Sequence, residues 1–326
     1  MTLLEVSGLR LSFDTERGRL DLFSGLDFTL GDREIVGIVG ESGSGKSTLA
    51  YAVTRLLPAN AKILGGTITF EGEQLLELSE REMAQVRGKK ITMVFQDPGT
   101  SLNPVFRIKD QMKSVLKATV GLEGAAAIKH AVDLLREVEL PDPEGVLECF
   151  PFELSGGMQQ RVMVAMALSS NPRLIIADEP TSAVDATIQA EILDLLRKIR
   201  AEREFSMILI THSIVVAEEV CDRIVVMYGG EIVEDGDAKT IVTAPMHPYA
   251  KALLKCIPRP RRPRATKSML PVVEGHVPDL TAPPPGCRFN PRCPYVMEIC
   301  TRERPRFYQA GGTKALCFLY EPEGGR

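Results

Sequence analysis

The sequence predicts an α/β fold built on a mainly parallel β-sheet that is covered on both faces by helices. Short apolar runs rich in β-branched residues alternate with helical patterns, as a parallel sheet requires. The first run, "EIVGIVG" at 34–40, leads through a glycine-rich loop into the helical pattern "GKSTLAYAVTRLL" at 45–57. Another apolar run ends in two acids, Asp178 and Glu179.

Further elements follow from hydrophobic periodicity. Apolar runs predict three more buried strands: "KITMVFQ" at 90–96, "RLIIADE" at 173–179 and "SMILITH" at 206–212. Between the last two, residues 186–202 place apolar side chains at helical spacing, which predicts an amphipathic helix. The stretch "RIVVMYGGEIVEDG" at 223–236 predicts a β-hairpin that turns at Gly229-Gly230.

The middle and the end of the chain differ in texture from the rest. Residues 97–157 contain helical patterns and loops but no strong strand, which predicts a helical subdomain. After residue 256 the stretch "IPRPRRPR" is proline-rich and basic, which is typical of an extended linker. A segment that contains several cysteines follows this linker.

Composition narrows the classes of partner. The hydrophobic fraction of 44% is enough for a large core, and the charged fraction of 25% is ordinary for a soluble protein. A net charge of −4, no tryptophan and 6% aromatic residues argue against a nucleic-acid partner. We see no signal peptide and no apolar run near the roughly 20 residues that span a bilayer, so we expect a cytoplasmic protein.

The glycine-rich loop matches the phosphate-loop pattern of nucleotide-binding proteins. Glycines let backbone N–H groups turn toward phosphate oxygens, and the following helix points its positive end at the same anion. Lys46 is expected to contact the β- and γ-phosphates of ATP, and Ser47 to ligate Mg²⁺. A chance match is the alternative, and the strand–loop–helix setting disfavours it. The candidate residues are Gly40, Glu41, Ser42, Gly43, Ser44, Gly45, Lys46, Ser47 and Thr48.

The two acids at the end of "LIIADEP" predict the hydrolytic part of the site. Asp178 is expected to hold the Mg²⁺ shell, and Glu179 to orient or deprotonate the attacking water. A solvated acid pair at a strand end is the alternative. The apolar strand before the acids and the proline after them make that alternative weaker.

The order of the motifs resembles that of the ABC-type ATPases. The stretch "LSGGMQQR" at 154–161 resembles their signature motif, and the other motifs occur in the family's order: the phosphate loop, "FQDP", "LSGGMQQR", "IIADEP", "TSAVD" and "ITHS". The resemblance implies an ABC-type P-loop ATPase cassette with a RecA-like core, an N-terminal antiparallel β-subdomain, a helical subdomain and a C-terminal cysteine-containing extension. The boundaries are 1–96 and 158–240 for the core with its β-subdomain, 97–157 for the helical subdomain and 241–326 for the extension.

The resemblance also implies roles within one site. Gln96 senses Mg²⁺ and water and links to a membrane subunit, and His212 contacts the γ-phosphate during catalysis. A hydrogen-bonded surface position is the alternative for His212. Phe13 is the candidate for stacking on adenine, with a position in the core as the alternative.

Other residues are implied to act across a dimer of cassettes. Asp185 crosses the dimer interface, while three signature residues cap the ATP held by the opposite subunit: Ser155, Gly156 and Gly157. Two residues depart from the commonest family pattern, Met158 in place of glutamine and Val184 in place of leucine. Neither departure indicates an inactive site, because Glu179 and His212 are present.

Three stretches resemble the ATPase subunits of oligopeptide and dipeptide importers: "SLNPVFRIKDQ" at 101–111, "MHPYAKALL" at 246–254 and "PPGCRFNPRCPYVMEIC" at 284–300. The resemblance implies uptake of di- or oligopeptides through two integral membrane permease subunits, fed by an extracytoplasmic substrate-binding protein. It also implies a homologous, non-identical second ATPase and a peripheral location at the cytoplasmic face of the cell membrane. The alternatives are the same importer class carrying nickel, glutathione or sugar conjugates, and a soluble ABC-type ATPase without a transport role.

Four of the seven cysteines lie near the end of the chain: Cys287, Cys293, Cys300 and Cys317. Four thiolates can hold an iron–sulfur cluster or a tetrahedral zinc ion, and structural zinc more often uses pairs spaced two to four residues apart. The resemblance also points to a [4Fe-4S] cluster. A small extension with few large apolar residues does not easily build its own core, so a bound metal is expected to hold it together. Four unrelated cysteines are the alternative, and this ordinary role is expected for Cys149, Cys221 and Cys256.

Overall fold

The computed structural model describes residues 1–181, 185–257 and 273–322. The predicted proline-rich linker lies mostly in 258–272, outside the described residues. The strands are β1 Thr2–Thr15, β2 Gly18–Gly31, β3 Ile35–Val39, β4 Ala61–Phe70, β5 Glu73–Gln74, β6 Ile91–Val94, β7 Leu174–Asp178, β8 Ser206–Thr211, β9 Arg223–Tyr228, β10 Glu231–Asp237, β11 Phe307–Ala310 and β12 Thr313–Leu316. The α-helices are α1 Lys46–Thr54, α2 Glu80–Val86, α3 Pro98–Ser101, α4 Ile108–Val120, α5 Gly124–Glu137, α6 Pro143–Glu148, α7 Gly156–Leu168, α8 Ala186–Glu202, α9 Ile214–Val220, α10 Ala238–Thr243 and α11 Pro248–Lys255.

The chain divides into two compact units. The first unit comprises Met1–Leu3, Leu30–Ile35 and Gly72–Ile210. The second unit comprises Leu4–Thr29, Val36–Glu71 and the chain from Thr211 onward. Both units therefore draw on the N-terminal and the C-terminal halves of the sequence.

The first unit contains parallel strands in the order β8-β7-β6. Every residue of β7 and β8 is buried, as expected for central strands of a sheet covered on both faces. Helices α3 to α6 lie within residues 97–157, and no strand occurs in this range. The apolar faces of α4 and α5 meet in the core of this region, where Met112, Leu116, Ala131 and Leu135 are buried.

The second unit contains the strand order β12-β10-β9-β3, with β3 parallel to β9 and β10 antiparallel to both of its neighbours. The predicted hairpin is confirmed, because β9 and β10 pair on either side of the turn at Gly229-Gly230. Strand β1 pairs with β4 in an antiparallel sheet of order β2-β1-β4. The predicted N-terminal antiparallel sheet is therefore present.

The end of the chain extends the sheet, which the sequence analysis did not predict. Strands β11 and β12 form a hairpin, and β12 pairs with β10 through Glu234↔Ala315 and Asp235↔Lys314. The side chains of Phe289 and Phe318 are buried in the same unit. The extension thus has both backbone pairing and an apolar anchor. The expectation that the extension does not easily build a core of its own was wrong, because backbone pairing and two buried phenylalanine side chains hold it.

Candidate nucleotide site

The phosphate loop connects the fully buried strand β3 to helix α1. A Cβ atom added to Gly40 would lie 2.2 Å from the carbonyl oxygen of Met227. Only glycine therefore allows the start of the loop to pass this close to the backbone of β9. Gly45 caps the helix with φ 101°, a left-handed conformation that glycine adopts without steric cost. The loop therefore leads directly into the N-terminus of α1. The free backbone N–H groups and the dipole of the helix favour an anion at this end.

The side chains of the loop supply polar groups that fit a phosphate chain. The Lys46 ammonium donates to the carbonyl oxygens of Gly40 at 2.9 Å and Glu41 at 3.0 Å. The buried hydroxyl of Ser44 has no hydrogen-bond partner among the described residues. Phosphate oxygens would accept from both groups, so these residues fit the nucleotide that the motif predicts. Ser47, which we predicted as a Mg²⁺ ligand, is half-buried in the first turn of α1.

In the first unit, the two predicted acids lie at the end of β7. Asp178 is 2% exposed, and Glu179 is half-buried with a backbone φ of 45°. Such a conformation is uncommon for a residue with a side chain and is typical of functional sites. The backbone N–H of Glu179 donates to the carbonyl of Ile210 at 2.9 Å, which fixes it at the strand end.

Gln96 and Glu179, both of the first unit, are in direct contact. The Gln96 amide Nε2 donates to Glu179 Oε2 at 3.1 Å, although 83 residues separate the two in sequence. Gln96 itself is exposed just after strand β6. The amide thus holds the carboxylate that we predict to act on water.

The signature residues lie at the start of helix α7 in the same unit. Ser155 is the N-cap residue, and its hydroxyl oxygen accepts the backbone N–H of Met158 at 3.3 Å. Ser155 and Gly156 are exposed, and Gly157 is half-buried. An exposed, capped N-terminus of a 13-residue helix is suited to an anion presented by another chain.

The structure also places three further candidate residues, Asp185, His212 and Phe13. Asp185 is exposed, and its Oδ1 accepts the backbone N–H of Ile188 at 3.1 Å near the start of α8. Val184, the second departure from the family pattern, lies outside the described residues. His212 is exposed directly after β8, whereas Phe13 is half-buried on β1 opposite Ala61.

The four predicted tail ligands line one small cavity in the second unit: Cys287, Cys293, Cys300 and Cys317. Their thiols are free rather than disulfide-bonded. Burial raises the pKa of Cys287 to about 12 and that of Cys317 to about 11. Burial also lowers the pKa of His247, on the same wall, to about 3, so this imidazole is neutral.

Backbone N–H groups point at three of these sulfur atoms. The donors are two residues further along the chain in each case: Phe289 for Cys287, Tyr295 for Cys293 and Leu319 for Cys317. Each of these hydrogen bonds lowers the pKa of the thiol, but burial has the larger effect, so the pKa of all three thiols is raised. Within the described ranges, however, no three His, Cys, Asp or Glu side chains are arranged to hold a metal ion.

Sequence reasoning missed the residues that surround the phosphate loop from the tail. Arg292, directly before Cys293, makes an ion pair with Glu41 of the loop. The hydroxyl oxygen of Tyr249 accepts the backbone N–H of Glu41 at 2.8 Å. Arginine next to a candidate metal ligand in "GCRFNPRC" was the available signal, but nothing in the local pattern indicates which distant residue it meets.

Comparison with known proteins agrees with this geometry. The family pattern described as ABC transporter matches residues 23–182, and the pattern of the oligopeptide/dipeptide transporter C-terminal region matches 233–300. The chain is 44% identical to the oligopeptide transport ATP-binding protein OppD of Salmonella typhimurium, over 97% of this chain and 93% of that protein. It is 39% identical to the dipeptide transport ATP-binding protein DppD of Escherichia coli, over 100% and 99% of the two chains.

Solved structures with the same fold include a dimeric ATP-binding cassette, MJ0796, bound to ADP and Pi. It has a TM-score of 0.64 and 28% identity, covering 72% of this chain and 99% of that one. The fold and the motifs define an ABC-type cassette that hydrolyses ATP. The chain belongs to the ATP-binding protein family of the oligopeptide and dipeptide ABC transporters.

Proposed function

We propose that this chain hydrolyses ATP to drive uptake of di- or oligopeptides through two separate integral membrane subunits. The observation that carries the proposal is the match, over nearly the whole chain, to proteins named for oligopeptide and dipeptide transport. The pattern at 233–300 supports the same subfamily through the extension rather than through the shared cassette. Among the described residues, no helix is both long and apolar enough to cross a bilayer. We place the chain at the cytoplasmic face of the membrane.

We assign the steps of ATP hydrolysis to the residues of the family motifs. Lys46 and the N-terminus of α1 hold the β- and γ-phosphates, and His212 contacts the γ-phosphate. A Mg²⁺ ion, held by Ser47, Asp178 and Gln96, would neutralise charge that develops on the phosphates. Glu179 orients the attacking water and accepts its proton, and the hydrogen bond from Gln96 keeps this carboxylate in place.

A second cassette completes the site in this proposal. The exposed signature residues at the start of α7 support it, because they offer backbone N–H groups to a γ-phosphate of another chain. We assign Asp185 to the interface between the two cassettes. The structural neighbour MJ0796 is a dimer in its nucleotide-bound form, which supports a similar arrangement. We expect the partner to be a homologous but non-identical ATPase.

The membrane subunits are proposed to dock on the region between the Gln96 loop and the helical subdomain, 97–157. Large apolar side chains are exposed there: Val105 at 71%, Phe106 at 52% and Phe152 at 70%. Phe152 stacks on Phe150, and the guanidinium of Arg107 lies over the Phe150 ring at 4.8 Å from its centroid. Exposed apolar groups gathered in this way mark interaction surfaces. Movement of the helical subdomain on ATP binding and hydrolysis would then be transmitted to the membrane subunits.

The tail cysteines are proposed to hold one [4Fe-4S] cluster, with zinc as the alternative. Convergence of four thiols on one cavity supports a shared group. A cluster bound there would cross-link the extension, 241–326. The protein itself contributes the ligands, their hydrogen bonds and the apolar wall of Phe289 and Phe318.

Co-purification tests the proposal. The tagged chain is co-expressed with the membrane subunits of its importer and with the second ATPase, and the detergent extract is purified on the tag. We expect all four subunits in one complex. A Phe152→Asp variant should lose the membrane subunits while it still binds ATP, because Phe152 and the phosphate loop belong to different compact units. A wild-type chain that binds ATP and never retains membrane subunits would favour the soluble ATPase alternative.

A further inference from the structure

We infer that Arg292 is a positioning residue for the phosphate loop, which it holds through Glu41, and that the cysteine segment is thereby coupled to nucleotide binding. We use "cysteine segment" for residues 285–300. The inference rests on the proposed role of the loop in binding ATP. It adds a residue outside the family motifs to the machinery of that site.

The contact between Arg292 and Glu41 is bidentate and largely shielded from water. Arg292 donates to the two carboxylate oxygens of Glu41 at 2.7 and 3.1 Å. The Arg292 side chain is 4% exposed and that of Glu41 is 25% exposed. The guanidinium also donates to the carbonyl oxygens of Val273 at 3.0 Å and Glu274 at 2.8 Å. A bidentate pair with every partner satisfied fixes direction as well as distance.

The backbone of Glu41 is held as firmly as its side chain. Its N–H donates to the hydroxyl of Tyr249, which is fully buried, and its carbonyl accepts from the Lys46 ammonium. A chain of contacts therefore runs from Arg292 through Glu41 to Lys46, the residue that is to meet the phosphates. When Lys46 turns from these carbonyl groups to an incoming phosphate, Arg292 keeps Glu41 from following it.

A second arginine of the cysteine segment holds the turn that contacts the middle of the loop. Arg288, directly after Cys287, is 2% exposed and donates to the carbonyl of Leu22 at 2.9 Å and to that of Gly229. The next residue, Gly230, donates its N–H to the carbonyl of Ser44 in the loop at 2.9 Å. The loop is thus held directly by Arg292 at Glu41, while Arg288 holds Gly229, whose neighbour Gly230 bonds to Ser44.

This arrangement has a functional consequence for the tail. Arg288 and Arg292 are the first and last residues between Cys287 and Cys293. The backbone path between the two cysteines therefore sets the positions of both guanidinium groups. Displacement of the cysteine segment would break the contact between Arg292 and Glu41, and the phosphate loop would then lose its fixed conformation. Coupling between two sites is reciprocal, so bound nucleotide must also stabilise the cysteine segment.

Nucleotide affinity of purified full-length variants tests the inference. We expect Arg292→Ala to weaken ATP binding about tenfold, which is a common strength for coupled sites. Glu41→Gln should weaken it similarly while leaving the contacts of Arg292 with Val273 and Glu274 in place, so a fault in tail folding is not the cause. The matched control is Arg302→Ala, since Arg302 is an exposed arginine of the tail whose ion-pair partner, Glu298, is also exposed. It should bind ATP as the wild type does.

Two further readouts separate positioning from a general structural effect. In the assembled complex, Arg292→Ala should raise the KM for ATP and leave kcat near the wild-type value, and Arg292→Lys should restore part of the loss through one remaining hydrogen bond. ATP should slow hydrogen exchange at the amides of 287–293 in the wild type but not in Arg292→Ala.

The outcomes distinguish this inference from the proposed function. Wild-type affinity in both Arg292→Ala and Glu41→Gln, with weak binding in Lys46→Ala, would overturn the inference and leave the loop's role intact. Weak binding in Arg292→Ala alone would show that Arg292 acts on the fold of the tail and not through Glu41. Unchanged affinity in Lys46→Ala would remove the proposed role of the loop and the inference with it.

Discussion

Glu179 is the residue whose environment most clearly indicates catalysis. Its carboxylate accepts from Gln96, and its backbone φ of 45° holds the side chain at the end of a buried strand. Glu71, directly after β4, has a similar φ of 51°, so the backbone conformation alone does not mark Glu179 as catalytic. Its contact with Gln96 is the observation that supports our prediction that the carboxylate acts on water.

We predict that Glu179→Gln binds ATP and Mg²⁺ with near wild-type affinity and hydrolyses ATP about 10²–10⁴-fold more slowly. The amide keeps the shape of the side chain but removes the base and its charge. Single-turnover hydrolysis in the assembled complex, together with an ATP titration, measures both quantities. Wild-type turnover would place the catalytic acid elsewhere.

Lys46 should behave in the opposite way. Lys46→Ala removes a cation that faces the phosphates, where the remaining attraction comes from backbone dipoles and Mg²⁺. We predict a loss of affinity for labelled ATP, measured by titration of the isolated chain. The Arg302→Ala variant serves again as the control for the loss of a positive charge, at an exposed position of the tail. Unchanged affinity in Lys46→Ala would count against the loop as the phosphate site.

Local sequence patterns supplied the candidate residues of the nucleotide site but gave no indication of the contact between Arg292 and Glu41. A glycine-rich loop or an acid pair has a meaning within a few residues, because backbone geometry and strand ends are local properties. The partner of Arg292 lies 251 positions earlier in the chain. Only the fold brings the two together, and no periodicity in the sequence records it.

At the scale of elements, the strand–loop–helix unit depends on the close approach of its first glycine to β9. We predict that Gly40→Ala destabilises the protein by about 1–3 kcal/mol, since the new Cβ would meet a backbone oxygen that cannot move aside. Urea unfolding of the isolated chain measures this loss.

The matched control for this stability prediction is Gly99→Ala. Gly99 is exposed in helix α3, and an added Cβ would meet only the Asp97 side chain, at 3.2 Å. Its free energy of unfolding should stay within about 0.5 kcal/mol of the wild type. Equal stability of both variants would show that the loop tolerates a side chain at Gly40.

Helix α8 shows how far element prediction reached. Its bounds, Ala186–Glu202, are those that the amphipathic pattern predicted, because a long periodic run overrides local ambiguity. Strands β11 and β12 were not predicted. Each has four residues with little alternation, and their pairing depends on the edge that β10 offers. Tertiary context decides such short strands.

At the scale of the whole molecule, the prediction for the cysteine cavity can be tested directly by chemical analysis of the purified protein. We predict that protein purified without oxygen is brown. It should contain about four iron atoms and about four acid-labile sulfide ions per chain. Serine in place of any one of the four should bleach it: Cys287, Cys293, Cys300 or Cys317.

The control for the cluster prediction is Cys149→Ser. Its thiol lies in the first unit and donates to the carbonyl of Gly145 at 3.4 Å, so the iron content should not change. Colourless protein with one zinc per chain would replace the cluster with the alternative ion. Protein that holds neither metal after anaerobic reconstitution would return the four cysteines to ordinary roles.

The central claim is that this chain converts ATP hydrolysis into peptide uptake. Its most direct test reconstitutes the chain, the second ATPase and the two membrane subunits in proteoliposomes with a peptide-loaded binding protein. We predict accumulation of labelled peptide that requires ATP and falls sharply with Glu179→Gln in this chain. Steady hydrolysis without peptide accumulation, or accumulation that is indifferent to Glu179→Gln, would contradict the claim.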